Sequence, residues 1–379
     1  VRILHINSYF STTGLFKEFY DRQVQAGDCL DVYVPISDSY PEDRLATSGD
    51  YTSVVRSFKQ YERWLFPIKH QKILKDLKRR YNANYDIIHG HSLFSNGWLA
   101  YQMAKELQIP FIVSVRNADI RTFFQKMPWM RKLGLEILQE AHEIIFISKN
   151  AYNEVFDHYI PKHLKSKLQA KCHIIPNGID DFWHKNRYVD KEAKLHRPLR
   201  IISTGKLMAL KRFVQLAEMT KEYHLNIQPL ELHIVGPAWS QRIKEQLLKY
   251  PHVTYHGSLA KEELSLLYRE MDLFAMLSSP ETFGLVYVEA MSQGLPVIYT
   301  QGEGFDSFFP NYQVGVSVGK SDQLGLNAAL DYIQNHYQEL SSQALQASEI
   351  FRWDQIVDHY RQIYQSVIKE HEEDTNEKS

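Results

Sequence analysis

The feature that most constrains this chain is an alternation of short apolar runs with longer amphipathic stretches, repeated through two successive series. In the first series, residues 2–7, 30–35, 87–89, 111–115, 144–147 and 172–175 have the length and composition of buried strands. Helical spacing appears between them at 15–25 and in the basic stretch 69–81. In the second series the strand runs are 199–204, 230–235, 253–256, 273–277 and 297–299, with helical patterns at 212–223 and 261–270. Strands buried on both faces have little room for polar residues, and parallel neighbours need a crossover helix between them. The alternation therefore predicts two α/β domains, each a parallel sheet covered by helices. A length of 379 residues suits two such cores better than one.

The polar, weakly periodic stretch 180–198 separates the two series and reads as a linker. The expected domains are 1–185 and 196–350, and the acidic tail 371–379 is expected to be disordered. A formal net charge of −1 gives no global field for nucleic acid. Two cysteines, Cys29 and Cys172, provide neither a metal-binding spacing nor a disulfide framework and fit a reducing compartment. No run approaches the roughly 18 apolar residues of a membrane span. The first ten residues lack a basic region followed by an apolar run, so no signal peptide is expected. Gly315-Val-Ser-Val-Gly319-Lys320-Ser321 imitates a phosphate loop but has three residues between its glycines where that motif has four. No Gly-x-Gly-x-x-Gly follows the first strand, which weakens a dehydrogenase reading.

The stretch 278–297 is the most informative. A strand ends near Ser278, a loop with Pro280 follows, and a helix is expected from Gly284 to about Gln293. Gly294 stops it in a left-handed cap, and Pro296 cannot extend it. The loop then lies at the carboxyl end of a parallel strand, where open α/β sheets bind ligands. Free N–H groups of Phe283, Gly284 and Leu285 at the helix start favour an anionic oxygen. Glu281 before the helix and Glu289 inside it can accept bonds from hydroxyl pairs, one on a sugar and one on a ribose.

This stretch resembles the signature of glycosyltransferase family 4, in which two glutamates separated by seven residues sit in a strand–loop–helix, here Glu281 and Glu289. The flanking Thr-Phe-Gly and Glu-Ala-Met-x-x-Gly-x-Pro-Val are present as well. Upstream, Ser203-Thr-Gly205-Lys206 with Lys211 resembles the family's cationic turn after the first donor-domain strand. Lys206 stands where the family usually has arginine, which keeps the charge without the guanidinium fork. The segment ending in Gly257 and Leu259 is similar to the one bordering the nucleotide base.

In the first half the likeness is looser. Gly14 is the one glycine of a loop that is glycine-rich in the family, and Ser11 or Thr12 could simply cap the helix that follows. Asp86-Ile-Ile-His89-Gly-His91 resembles the family's Asp-x-x-His-x-His, with His91 expected at a cleft rim and His89 in the core. Around Arg116, Asn117 and Asp119 the family often has Val-His-Gly-x-Asp. Here Arg116 replaces the histidine, and Arg116 or Asn117 would meet the acceptor. Residues 351–360 are similar to the closing helix, about 353–370, that returns to the first domain.

The resemblance implies two Rossmann-like domains facing across a cleft (the GT-B fold), and a retaining transfer of a hexose from a nucleotide sugar, with UDP as a family-level expectation. The acceptor would be a saccharide or a lipid-linked molecule, as in cell-surface polysaccharide or glycoconjugate synthesis. Glu281, Lys206 and Lys211 would be catalytic. Glu289, Phe283, Gly284, Leu285, Gly205, Gly14, Gly257 and Leu259 would bind the donor, and His91, Arg116, Asn117 and Asp119 would line the acceptor side. No Asp-x-Asp motif lies near the donor loop, so neither metal nor other cofactor is expected. Basic–aromatic patches at 61–81 and 123–133 fit either peripheral docking on an anionic membrane or solvated helix faces over core aromatics. The expected location is cytoplasmic, at the inner face of the plasma membrane if docking occurs. The alternatives are a nucleotide-sugar epimerase of the same fold and a non-catalytic subunit of a transferase complex.

Overall fold

The computed structural model describes residues 1–10, 14–42, 45, 49–81, 84–192 and 194–378. The chain divides into two compact units. The first comprises Val1–Ile147, Ala151–Pro176 and Trp353–Ser379, and the second Ser148–Asn150 and Asn177–Arg352.

The first unit holds a seven-stranded sheet of β1 (Arg2–Ile6), β2 (Cys29–Ser37), β3 (Thr52–Phe58), β4 (Ile87–Gly90), β5 (Phe111–Val115), β6 (Glu143–Phe146) and β7 (Cys172–Ile174). Every pairing is parallel, in the order β3-β2-β1-β4-β5-β6-β7. Its connections are α1 (Leu15–Gln25), α2 (Phe66–Arg80), α3 (Ser95–Leu107), α4 (Arg131–Glu140), α5 (Lys149–His158) and α6 (Lys162–Gln169). The second unit begins with α7 (Asp181–Lys185). Its sheet contains β8 (Leu199–Thr204), β9 (Leu230–Val235), β10 (Val253–Gly257), β11 (Leu273–Met276), β12 (Val297–Thr300) and β13 (Gly315–Val318). These strands are also parallel, in the order β10-β9-β8-β11-β12-β13. Helices α8 (Phe213–Asn226), α9 (Gln241–Leu247), α10 (Lys261–Arg269), α11 (Leu285–Met291), α12 (Gln323–Asn335) and α13 (Tyr337–Ala347) complete it. The last helix, α14 (Trp353–Lys378), belongs to the first unit.

The sheets form because consecutive strand residues feed opposite layers. Leu4 and Ile6 enter one core of the first unit and Ile3 the other. In the second unit Ile201 and Ile202 divide in the same way. In each sheet the strand order reverses at one place, between β1 and β4 and between β8 and β11. Connections leave such a pair in opposite directions and open a crevice beyond its carboxyl ends.

Four expectations need correction. Strand β3 is missing from the sequence reading because it is a half-exposed edge strand, Thr-Ser-Val-Val-Arg-Ser-Phe, without a continuous apolar run. Strand β13 is missing as well: the segment set aside as an imitation phosphate loop is largely this strand, paired with β12. The proposed linker is part of the second unit, whose boundary falls at Pro176/Asn177 rather than beyond residue 185. Ile179 and Trp183 are buried in that unit's core, the Tyr188 N–H donates to Ser292 O, and Lys191 Nζ donates to the carbonyls of Arg269 and Met271. The acidic tail is helical through Lys378 as the end of α14, with bonds at helical spacing such as Ser366 to Glu370 and Thr375 to His371.

Candidate active site

The second unit assembles its site at the β8/β11 reversal. After β8 the chain turns at Gly205 and Lys206, and a single 3-10 turn, Ala209–Lys211, returns Lys211 toward the sheet. After β11 the loop 277–284 leads into α11. These two loops meet directly. Lys211 Nζ donates to Glu281 Oε2 at 2.6 Å, and the Ser279 N–H donates to Leu210 O at 2.9 Å. Glu281 Oε2 also accepts from Ser278 Oγ at 2.9 Å, and Oε1 accepts from the Thr282 N–H at 3.1 Å. The ion pair is mostly shielded, with side-chain exposures of 22% for Lys211 and 12% for Glu281.

Gly284 is the N-cap of α11 with φ +87°, and a Cβ there would stand 2.5 Å from the Tyr287 ring. Any other residue would be strained in backbone and side chain at once. The helix is shorter than expected and ends at Met291, while Gly294 takes the anticipated left-handed conformation, φ +74°. The Phe283 ring is buried against Phe308 and Phe351. Its N–H and those of Gly284 and Leu285 meet no acceptor among the described residues. Three amide dipoles and Lys211 thus offer positive potential to an anionic ligand. Lys206 does not join the Glu281 pair; its ammonium lies 4.1 Å from the ring centroid of the exposed Trp239.

Glu289 is half-buried one turn into α11. Burial raises its carboxyl to about 7; Asp180 adds to the shift and Lys261 opposes it. Lys261 opens α10, two residues after Leu259, and is paired with Asp180. Gly257, at φ +74°, ends β10 at a register shift. If Glu289 accepts a ribose diol, only its ionised form binds well. Apparent affinity for a nucleotide with a free ribose diol is then expected to rise about tenfold from pH 6 to pH 8, as the competent fraction grows. Glu289→Gln should flatten that profile in isothermal titration. An equally steep profile in the variant would exclude the role.

In the first unit the expected acceptor-side residues are more occupied than the sequence implies. Asp119 is buried; its carboxylate accepts the N–H groups of Leu93, Phe94 and Arg116 at 3.0, 3.1 and 2.8 Å. Burial still pushes it up to about 6. Asp119 therefore fixes the loop after β5 rather than presenting a free carboxylate. His91 is in the core, not at a rim: its Nε2 is bonded to His5 Nδ1 at 3.0 Å and to Tyr20 OH at 3.2 Å. The physical reason is a neighbour the sequence reading did not weigh, His5 on the adjacent β1. His89 sits in the core as expected, between Ser114 Oγ and Tyr364 OH. Nitrogens of these three histidines lie within 4.8 Å of one another. Both His89 nitrogens are hydrogen-bonded, and the Arg116 guanidinium beside the group disfavours added positive charge. They form a network of neutral rings.

Arg116 donates from Nε to His91 O at 3.2 Å, with its guanidinium 5.5 Å from the Phe16 ring centroid. Asn117 is half-buried. Gly14 is the N-cap of α1 at φ −71°, with open space where a Cβ would stand, so its conformation does not require glycine. The cap at Ser11 or Thr12 lies outside the described residues. The sequence reading missed Glu303, which touches the Glu281 loop. It follows β12 as Glu281 follows β11, and inspection of every strand's carboxyl end would have found it.

Residues 184–348 match the family described as Glycosyl transferases group 1, and residues 16–181 match Glycosyltransferase Family 4. The chain is 22% identical over 294 residues to the alpha-monoglucosyldiacylglycerol synthase of Acholeplasma laidlawii, covering 71% of this chain and 70% of that one. It is 21% identical over 377 residues to an uncharacterized glycosyltransferase of Methanocaldococcus jannaschii, covering 97% and 99%. Among solved structures, sucrose-phosphate synthase from Thermosynechococcus elongatus superposes with a TM-score of 0.75 at 18% identity, over 97% of this chain and 99% of that one. Anabaena HepE, solved in complex with UDP and glucose, gives 0.67 at 16%, over 96% and 99%.

Proposed function

The chain belongs to the group 1 glycosyltransferases of family 4, and from that premise we propose that its second unit binds a UDP-hexose and transfers the sugar with retention of configuration. The observation that carries this reading is the Lys211–Glu281 pair beside three unsatisfied amides, at the carboxyl ends of the strands where the sheet order reverses. A diphosphate would take up the amides of 283–285 and Lys211, freeing Glu281 to orient sugar hydroxyls. Lys206 would reach the same diphosphate from its perch on Trp239. Charge on the departing nucleotide would then be met by ammonium and amide groups, without a metal ion or other cofactor. The donor phosphate itself can take the acceptor proton on the face from which the nucleotide leaves. The test is a panel of UDP-, GDP-, ADP- and CMP-sugars scored by thermal shift and nucleotide release, with EDTA present. Stabilisation by a UDP-hexose, EDTA-insensitive turnover and a product of unchanged anomeric configuration are expected. Stabilisation by another nucleotide class, loss of turnover in EDTA, or inversion would each overturn the matching part.

We further propose a lipid-linked acceptor reached at an anionic membrane surface, on the cytoplasmic side that two unpaired thiols suit. The support is in the first unit. Trp64 is 87% exposed and Trp129 71%, and Tyr61, Leu65 and Ile68 are exposed as well. The two segments adjoin through Phe66 and Phe123, whose ring centroids are 5.9 Å apart. Arg63, Lys126 and Lys132 are exposed around them. Indole rings at the headgroup level with cations beside them are a surface-binding arrangement. No helix among the described residues is long and apolar enough to cross a membrane. Sedimentation with phosphatidylglycerol-containing vesicles is expected at low salt. It should fall at least fivefold in a Trp64→Ala/Trp129→Ala variant and in 0.5 M salt. Equal sedimentation of variant and parent would remove the proposal.

A further inference from the structure

We infer that Glu303 is a positioning residue that sets the geometry of the Glu281–Lys211 pair; the inference rests on the transferase reading given above. Glu303 lies in the loop after β12 and is buried, with 6% of its surface exposed. A carboxylate there is stable only if its oxygens are well satisfied, and their partners define its role. Oε2 accepts the backbone N–H of Glu281 at 2.8 Å. Oε1 accepts from Ser279 Oγ at 2.7 Å and lies 3.1 Å from Lys320 Nζ. The next residue completes the grip, since the Gly304 N–H donates to Glu281 O at 3.0 Å. Glu281 is therefore held by its N–H and its C=O from the same two-residue segment. The approach is so close that a Cβ on Gly304 would stand 2.0 Å from Thr282 O, against backbone that cannot move aside.

The clamp also reaches the cation. Ser279, held by Glu303, donates its N–H to Leu210 O, and Leu210 precedes Lys211. Glu303 thus touches both residues that decide how far Glu281 stands from Lys211, without touching Lys211 itself. A carboxylate satisfies the arrangement because all three partners are donors. A glutamine at 303 would turn one amide N–H toward a donor and lose that contact. An aspartate falls one methylene short of spanning from β12 to the Glu281 N–H. Among the described residues the Glu303 carboxylate bonds to Ser279, Glu281 and Lys320 rather than to the amides of 283–285 or to Glu289, so nucleotide binding and sugar positioning should separate when it is changed.

The experiment compares Glu303→Gln and Glu303→Asp with the parent, using UDP and the donor that the sugar panel selects. A fall in kcat of about tenfold or more is expected in both, with UDP affinity changed less than threefold and a melting temperature close to the parent's. Hydrogen exchange of the peptide spanning 278–285, measured without ligand, should speed up in both variants. Unchanged exchange together with kcat within twofold of the parent would overturn the inference. So would parallel losses of kcat, UDP affinity and melting temperature, which would make Glu303 merely structural. A parent that turns over no nucleotide sugar would sink the transferase reading instead. The exchange measurement would still decide whether the clamp exists.

Discussion

Lys211→Ala is expected to lower donor turnover by two to three orders of magnitude, the range seen when one preorganised donor is removed from an electrostatic site. Glu281→Ala should produce a loss of similar size. The two side chains form one shielded pair at 2.6 Å, so either single change leaves the other without its partner. For the same reason the double variant should lose far less than the product of the single losses. Lys206→Ala is expected to be milder, because that ammonium is exposed and rests on Trp239. None of these changes enters a core cluster, so thermal melts should fall by only the few degrees that an unpaired, partly shielded charge costs. Steady-state kinetics on the donor selected by the panel, with melting curves on the same samples, provide the check. Turnover within tenfold of the parent in both single variants would refute the assignment.

Acidification from pH 7.5 to 5.5 is expected to destabilise the first unit strongly. His5, His89 and His91 are fully buried, and burial lowers all three, His5 to about 3 and the others well below their ordinary value. His70 in α2 is likewise pushed down to about 3. The rings are neutral in the folded unit, whereas in the unfolded chain they take up protons below about 6.5. Their contribution is therefore complete above that value and is lost as pH falls toward the folded values. Each ring costs roughly 1 kcal/mol per pH unit. The Asp119 carboxyl, pushed up to about 6 by burial, takes up a proton in the folded unit over the same range and offsets part of this loss. A fall in melting temperature of roughly 5–10 °C follows for a unit of this size. Calorimetry at the two pH values, with hydrogen exchange of peptides from β1 and β4 to identify the unit, measures it. His89→Gln should be less stable at pH 7.5 but show a shallower dependence. A parent shift below 2 °C would exclude the mechanism.

Legibility followed how far each signal depended on local sequence. Strands β8 and β9 and helix α1 were read with their observed bounds, because their apolar periods complete within the segment. Edge strand β3 was not read, since none of its residues is fully buried and it has no continuous apolar run of its own. The 278–297 signature pointed to Glu281, Gly284 and Glu289 because loop, cap and stop are consecutive along the chain. Glu303 was passed over because its partner is 22 residues away, and His91 was misjudged because His5, to which it is bonded, is 86 residues away.

The sequence by itself determined two parallel α/β sheets, a cationic turn after β8 and a two-glutamate loop after β11. These follow from periodicity, turn chemistry and charge within short windows, which the chain carries wherever it folds. The tertiary structure alone decided that Lys211 meets Glu281, that Glu303 grips the same loop, and that three histidines share one buried network. Such contacts depend on which strands become neighbours at a sheet reversal, and that choice is made by burial across the whole unit rather than by any one segment.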